Sequence, residues 1–238
     1  MATSSHTVLP FDPRSLPVWQ EATRILQQQP AVAPERMQLD ALQHRFASAL
    51  AWRAEPRNEV FAPPAMRDAA VLIGLQPASS PAQPPQVVLT QRGQHLNAHP
   101  GQIAFPGGKI DASDANASAA ALREAHEEIY LAPEHAHVLG TLLPYETGTG
   151  YRVTPVVAWL HPAARLAPNP LEVAEVFRVP LDFLMNPANH RKHVWQPTLD
   201  QRREWFSMPY TDTSNGQERF IWGVTAGILR DLYQFLSA

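Results

Sequence analysis

A chain of 238 residues is long enough for one or two domains of about 150 residues, and its 19 Lys and Arg against 22 Asp and Glu leave a net charge of -3. That balance lacks the basic surplus with which proteins hold duplex nucleic acid, and the absence of cysteine excludes disulfides, thiolate nucleophiles and Cys-ligated zinc. The opening MATSSHTVLPFDPRSLP has no basic or apolar signal region, and apolar runs such as 156–160 fall far short of the ~20 residues of a membrane span. A cytoplasmic protein with no nucleic-acid and no membrane partner is expected.

Residues 1–65 are rich in Pro, Ala, Gln and Arg and read as a partly ordered N-terminal helical arm. Helices are predicted over 18–29 and 34–53, the second with Pro34 in its first turn. Met37, Leu42, Phe46 and Leu50 recur near helical spacing, so this helix should pack on something. Pro56 and Pro63-Pro64 end it, and 66–238 form the main domain.

In that domain 69–75 is an apolar run of strand length, 77–85 a proline-rich loop, and 87–91 a second strand that can pair back as a hairpin. Residues 99–114 are loop-rich around an apolar core at 103–105. The clearest helix is 117–129. Strands follow at 138–143, 153–160 and 173–179, the last ending at Pro180. Two more, 203–210 and 218–222, flank Ser214-Asn215-Gly216, a hairpin-turn signal. A helix over 225–236 closes the chain. Strands dominate and helices are few, which is the pattern of an α+β fold.

The 117–129 helix carries the chemistry. At about 100° per residue, Ser118, Leu122, Ala125 and Ile129 form one stripe suited to packing, and Glu124, Glu127 and Glu128 fall on another side. Three carboxylates near a helix C-terminus repel one another and oppose the macrodipole. They read either as a solvated acidic face relieved by Arg123 and Lys109, or as a site for a hard cation, which takes carboxylate oxygens together with substrate phosphates. Pro106-Gly107-Gly108, just upstream, lets the backbone approach closely and offers a free carbonyl.

Gly108, Asp114 and REAHEEIYL (123–131) resemble the Nudix box, Gly-x5-Glu-x7-Arg-Glu-U-x-Glu-Glu-x-Gly-U with U aliphatic. Asp114 stands for the Glu, one extra residue precedes Arg123, and Tyr130 replaces the terminal Gly, so the helix is expected to end differently or to run on toward Pro133. The first two departures are features of the coenzyme A pyrophosphatase branch, whose upstream signature is similar to VLTQRGQHLNAHPGQIAFPGG (88–108). There Arg92, Leu96, His99, Gly101 and 105–108 match, while Gly93 and Asn97 replace Ser and Arg. Further similarity at 147–157, 169–181 and 220–232 extends the resemblance over most of 66–235.

The resemblance implies a Nudix fold, an α/β/α sandwich around a mixed β-sheet. It implies Mg2+ or Mn2+ held by Glu124, Glu127, Glu128 and the Gly107 carbonyl. Arg123 either holds Glu124 or makes an ordinary i,i+4 pair with Glu127. The general base is Glu124 or Glu172, the latter otherwise a solvent-facing charge like Glu175. Arg92, His99, Gly101 and Phe105 are the implied substrate-binding residues, with His99 alternatively a plain loop histidine. Arg191, Lys192 or Arg203 are candidates to replace the cation lost at Asn97, although NHRKH (189–193) also reads as solvated surface. The implied activity is cleavage of the diphosphate of coenzyme A or its thioesters. Other nucleotide substrates (ADP-ribose, NADH, nucleoside triphosphates) and a non-catalytic binding module are the alternatives, and a homodimer is compatible with the family.

Overall fold

Alternation along the strands places the core. In the computed structural model, which describes residues 13–56, 65–78, 80, 83–96, 99–198 and 201–238, strand β1 (Arg67–Gln76) runs through the middle of an eight-stranded mixed sheet. Its Ala69, Ile73 and Leu75 face one side, and its Ala70 and Leu72 face the other. Because successive strand residues point to opposite faces, a strand buried on both sides reads as the continuous apolar run seen at 69–75.

β1 meets β2 (Gln86–Arg92) antiparallel at Leu75↔Val87 and Gln76↔Gln86. The expected hairpin therefore forms, but only over its base. Beyond it β2 takes the short β3 (Ile103–Ala104), while β1 takes β4 (Gly107–Lys109). Helix α1 (Gln20–Gln27) and helix α2 (Leu39–Ala47) lie in the N-terminal segment, and helix α3 (Ala117–Ile129) follows β4. Strands β5 (Ala136–Thr141), β6 (Tyr145–Glu146) and β7 (Tyr151–Leu160) come next. β7 returns to pair parallel with β1 along its length. A parallel pair needs a long crossover, and α3 lies in that crossover, which sets it on one sheet face against Ala70, Leu72, Val156 and Ala158.

β8 (Val173–Pro180) pairs with β2 and leads through the short helix α4 (Leu181–Leu184) to a second, antiparallel sheet of β9 (Arg191–Thr198), β10 (Gln201–Thr211) and β11 (Glu218–Trp222). The hairpin signalled by Asn215-Gly216 joins β10 to β11, with Asp212 and Gln217 closing the turn at 2.9 Å. The last helix, α5 (Gly223–Ser237), covers the other face of the large sheet, completing the α/β/α sandwich. No helix among the described residues is long and apolar enough to cross a membrane.

Three expectations are corrected. The helix predicted over 34–53 splits into a 3-10 turn, Pro34–Met37, and α2, because Gln38 and Ser48 are extended. Met37 and Leu42 are buried and Phe46 lies tilted against Phe235 with centroids 4.6 Å apart, as their spacing suggested, but Leu50 lies beyond the helix and is exposed. The run at 189–193 is solvated only in part: Arg191 is exposed, but His190 and His193 are buried, because β9 enters the second sheet and Val18 bridges to His193. On α3 the buried stripe is Ala120, Ala121, Ala125, Glu128 and Ile129, with Leu122 only partly covered. Small alanines let the helix lie close to the sheet, and the rotation that buries them carries Glu128 inward.

The described N-terminal residues are fastened to α5. Arg45 Nε donates to the Phe235 carbonyl at 2.8 Å and Arg36 Nη1 to that of Leu236 at 2.8 Å. The Tyr233 hydroxyl donates to the Pro30 carbonyl at 2.8 Å, and Arg230 Nε to Glu55 at 2.8 Å. Pro63-Pro64, assigned to the end of the arm, lie outside the described residues.

Candidate active site

The start of α3 is set by Asn116, whose Oδ1 accepts the Ala119 N–H at 3.0 Å. Its end is set by Tyr130, which itself adopts the left-handed cap conformation (φ 53°, ψ 30°). The helix therefore stops where the box glycine would stop it, against the expectation of a different end or an extension toward Pro133. Its N–H reaches the His126 carbonyl at 3.0 Å, and that of Leu131 reaches Ala125 at 3.3 Å. This pattern satisfies helix-end carbonyls at the cost of strain in a non-glycine residue.

β4 presses the double glycine against α3. A Cβ on Gly107 would collide with the Ala70 carbonyl and lie 2.7 Å from Val71 Cα; one on Gly108 would lie 2.5 Å from the Glu124 carboxylate. The Gly107 N–H donates to Glu128 Oε2 at 3.2 Å. Glu128 is only 3% exposed. Its carboxyl is pushed up to about 7, first by burial and further by the charges of Glu172 and Glu124, against the Gly107 amide and Arg92. Arg92 Nη1 stands 3.8 Å from Glu128 Oε1, too long for a hydrogen bond. Burial also raises Glu124, with Arg123 opposing it and Glu127 and Glu172 adding to it.

Arg123 makes both contacts foreseen for it and a third that was not. Nη1 donates to Glu124 Oε1 at 2.9 Å and to Glu127 Oε2 at 3.3 Å, and Nε and Nη2 grip Asp114 at 3.1 and 3.0 Å. Nη2 also donates to the Lys109 carbonyl at 3.1 Å. Paired forks of this kind strengthen both charges. Asp114 is held below the usual carboxylate range by this bond first, and Arg123 is raised by the same bond. The Asp that departs from the box is thus the anchor of the box arginine.

Of the expected metal ligands, Glu124, Glu128 and Gly107 meet, whereas Glu127 is largely exposed and leans on Arg123. No group of three His, Cys, Asp or Glu among the described residues is already gathered to hold a metal ion. The donor chemistry still fits a hard divalent cation. Glu128 is buried with an excess of neighbouring negative charge and one weak cationic partner, the imbalance that Mg2+ or Mn2+ relieves.

The expected substrate residues divide between two cavities. Arg92, His99 and Phe105 line one of about 300 Å3 with Val71, Val153 and Trp222; Phe105 is a buried part of its wall. Gly101, at φ 68°, makes the turn that returns its N–H to the Arg92 carbonyl, and faces a neighbouring cavity of about 530 Å3 with Arg14, Gln94 and Arg219. Gln102, Ile103 and Trp222 border both cavities. Asn97 lies outside the described residues. Of its expected substitutes, Arg191 and Lys192 lie on β9, Lys192 paired with Glu204 at 2.9 Å, and Arg203 stands over Trp195; none lines either cavity. Glu172 is near enough to act electrostatically on Glu124 and Glu128, while Glu175 is bound by Arg219 at 2.6 and 2.7 Å. Asn169, which no sequence signal marked individually, ties the end of α3 to the turn carrying Glu172.

Residues 67–201 match the NUDIX domain family. The chain is 41% identical over 166 residues to the "Uncharacterized Nudix hydrolase NudL" of Enterobacter sp. strain 638, a match covering 70% of this chain and 81% of that one. Proteins of the same name from Citrobacter koseri and Escherichia coli K12 are 42% and 40% identical over the same shares. With the box helix, the glycine loop and the buried glutamate in place, the chain belongs to the Nudix family and is a hydrolase of pyrophosphate bonds.

Proposed function

We propose that this enzyme, within the Nudix range of nucleoside diphosphate derivatives, cleaves the diphosphate of coenzyme A or its thioesters, releasing 4′-phosphopantetheine or its acyl form and adenosine 3′,5′-bisphosphate. The observation that carries the reading is the position of Arg92. It is the first arginine of the block resembling the coenzyme A branch, it stands 3.8 Å from Glu128, and it lines the largely apolar cavity beside it. One cation therefore serves a diphosphate at the carboxylates and the mouth of a groove for the rest of a long substrate.

Glu128 and Glu124, with the Gly107 backbone, are the groups that hold Mg2+ or Mn2+. When bound, the cation neutralises the diphosphate and activates water. The remaining work is positioning and electrostatics. Arg123, locked by Asp114, holds Glu124 through Oε1, leaving Oε2 to accept the proton of the attacking water. Glu172 is the second candidate for that proton. Arg92 orients the phosphoryl oxygens, and His99, which lines the same cavity, is the second group to contact them.

The test is a product assay by mass spectrometry with Mg2+ or Mn2+, offering coenzyme A, ADP-ribose, NADH and a nucleoside triphosphate separately at equal concentration. Fastest release of 4′-phosphopantetheine from coenzyme A is the expected result. A faster reaction with another of the four removes the coenzyme A assignment and leaves the box chemistry standing. Binding without any product removes the catalytic reading.

A further inference from the structure

The end of an α-helix leaves its last carbonyls without partners in the helix. In α3 the carbonyls of Ala125 and His126 are taken by Leu131 and Tyr130. The next three belong to Glu127, Glu128 and Ile129, and all are taken by one short segment across the site. Asn169 Nδ2 donates to Glu127 O at 3.0 Å, the Asn169 N–H to Glu128 O at 2.9 Å, and the Ala167 N–H to Ile129 O at 3.2 Å.

The same asparagine builds the turn that follows. Its Oδ1 accepts the Leu171 N–H at 3.2 Å, and its carbonyl accepts those of Glu172 at 3.0 Å and Val173 at 2.8 Å. That turn grips the segment after Arg92. The Glu172 carbonyl accepts the Gly93 N–H at 2.9 Å, and His95 Nε2 lies 3.0 Å from the Leu171 carbonyl. One residue thus links the backbone of the box glutamates, the turn bearing Glu172 and the loop bearing Arg92.

We propose that Asn169 is a positioning residue: its hydrogen bonds to the end of α3 hold the Glu172 carboxylate in fixed register with Glu124 and Glu128, so that the three act as one anionic site for a divalent cation and its diphosphate. The electrostatic influence of Glu172 on both helix carboxylates agrees with this placement. The inference rests on the reading of Glu124 and Glu128 as cation-holding groups and adds to it a residue outside the box.

A double-mutant cycle read by Mn2+ binding tests it without any substrate. Free Mn2+ is followed by electron paramagnetic resonance in titrations of the full-length protein, Asn169→Ala, Glu172→Gln and the double variant. Each single substitution is expected to weaken Mn2+ about three- to tenfold, the scale of one partly screened charge, and the double variant to bind no more weakly than the weaker single. Asn186→Ala, which removes a comparable side-chain cap on Ala188 N–H in the turn after α4, controls for loss of a turn. It should leave Mn2+ binding unchanged at a similar loss of thermal stability. In turnover of the best substrate, Asn169→Ala should lower kcat about tenfold with KM nearly constant. Asn169→Ser, which keeps a short acceptor for the Leu171 N–H without the reach to Glu127, should behave like the alanine variant. Unchanged Mn2+ affinity in Asn169→Ala overturns the proposal, as do losses that multiply in the double variant or a silent Glu172→Gln. Mn2+ binding that Glu128→Gln leaves untouched overturns the carboxylate reading along with it.

Discussion

The two faces of the large sheet treat buried charge in opposite ways. On the α5 side Arg230 is completely buried and fully partnered: Nε on Glu55 at 2.8 Å, Nη1 by His190 at 3.2 Å, Nη2 on Gln29, and the guanidinium over Tyr233 at 4.5 Å. On the α3 side Glu128 is almost as deeply buried, yet it has one amide at 3.2 Å, one arginine beyond hydrogen-bonding distance, and two carboxylates that repel it. A buried charge with all its partners holds a structure together. A buried charge short of partners, in a family that works with cations, is a site prepared for a ligand.

Glu128→Gln breaks the comparison most sharply. On the proposed reading it removes an oxygen that holds the cation, and it should lower kcat about a thousandfold. Arg230→Ala is the counterpart: it should cost about 3–5 kcal/mol by breaking the ion pair with the partly buried Glu55, which among the described residues keeps only Gln234 at 2.7 Å, and by emptying the buried place of the guanidinium, with kcat per folded molecule unchanged. Equal losses of activity in the two variants would erase the distinction.

The pH dependence of stability sharpens it further. The folded-state pKa of Glu128 is raised from 4.5 to about 7, so the folded protein keeps a proton that the unfolded chain has released. The stability of the protonated form is complete below the unfolded value and is lost as pH rises through about 7, a loss of about 3 kcal/mol. Without divalent cations, the melting temperature of the parent should fall relative to Glu128→Gln between pH 5 and 8. A constant difference between them would show that Glu128 is not held uncharged by burial.

Gly108→Ala places a Cβ 2.5 Å from the Glu124 carboxylate and should lower kcat about 10- to 100-fold, as a displaced catalytic group does, with little change in folding. The smallest effect is expected at Tyr130→Gly. Relief of the left-handed conformation should stabilise the protein by about 1 kcal/mol in urea unfolding without altering kcat, because the side chain is exposed.

Much of this was legible in the residues themselves. The span of α3 follows from its alanine-rich run and helical spacing, although the left-handed cap at Tyr130 that ends it does not. The Asn215-Gly216 hairpin and the double-glycine loop carry their signals within a few residues. What stayed hidden depends on partners distant in the chain. β9 has no regular alternation and reads as polar loop until β10 pairs with it and Val18 bridges to His193. Gln38 and Ser48 leave the helical region although the spacing of Met37, Leu42, Phe46 and Leu50 continues across them. Asn169 looks like an ordinary turn residue before Pro170, because the carbonyls it serves lie some forty residues upstream.

The sequence by itself determined the chemistry of this protein: the carboxylates, the arginine between them and the glycines that let a backbone close on them, since these are matters of residue type and short spacing. Only the tertiary structure decided which carboxylate is which. Helical periodicity places Glu124, Glu127 and Glu128 on one arc, but the close packing of Ala121 and Ala125 on the sheet turns Glu128 into the interior and leaves Glu127 in water. Burial sets the difference between them, and burial belongs to the packed molecule.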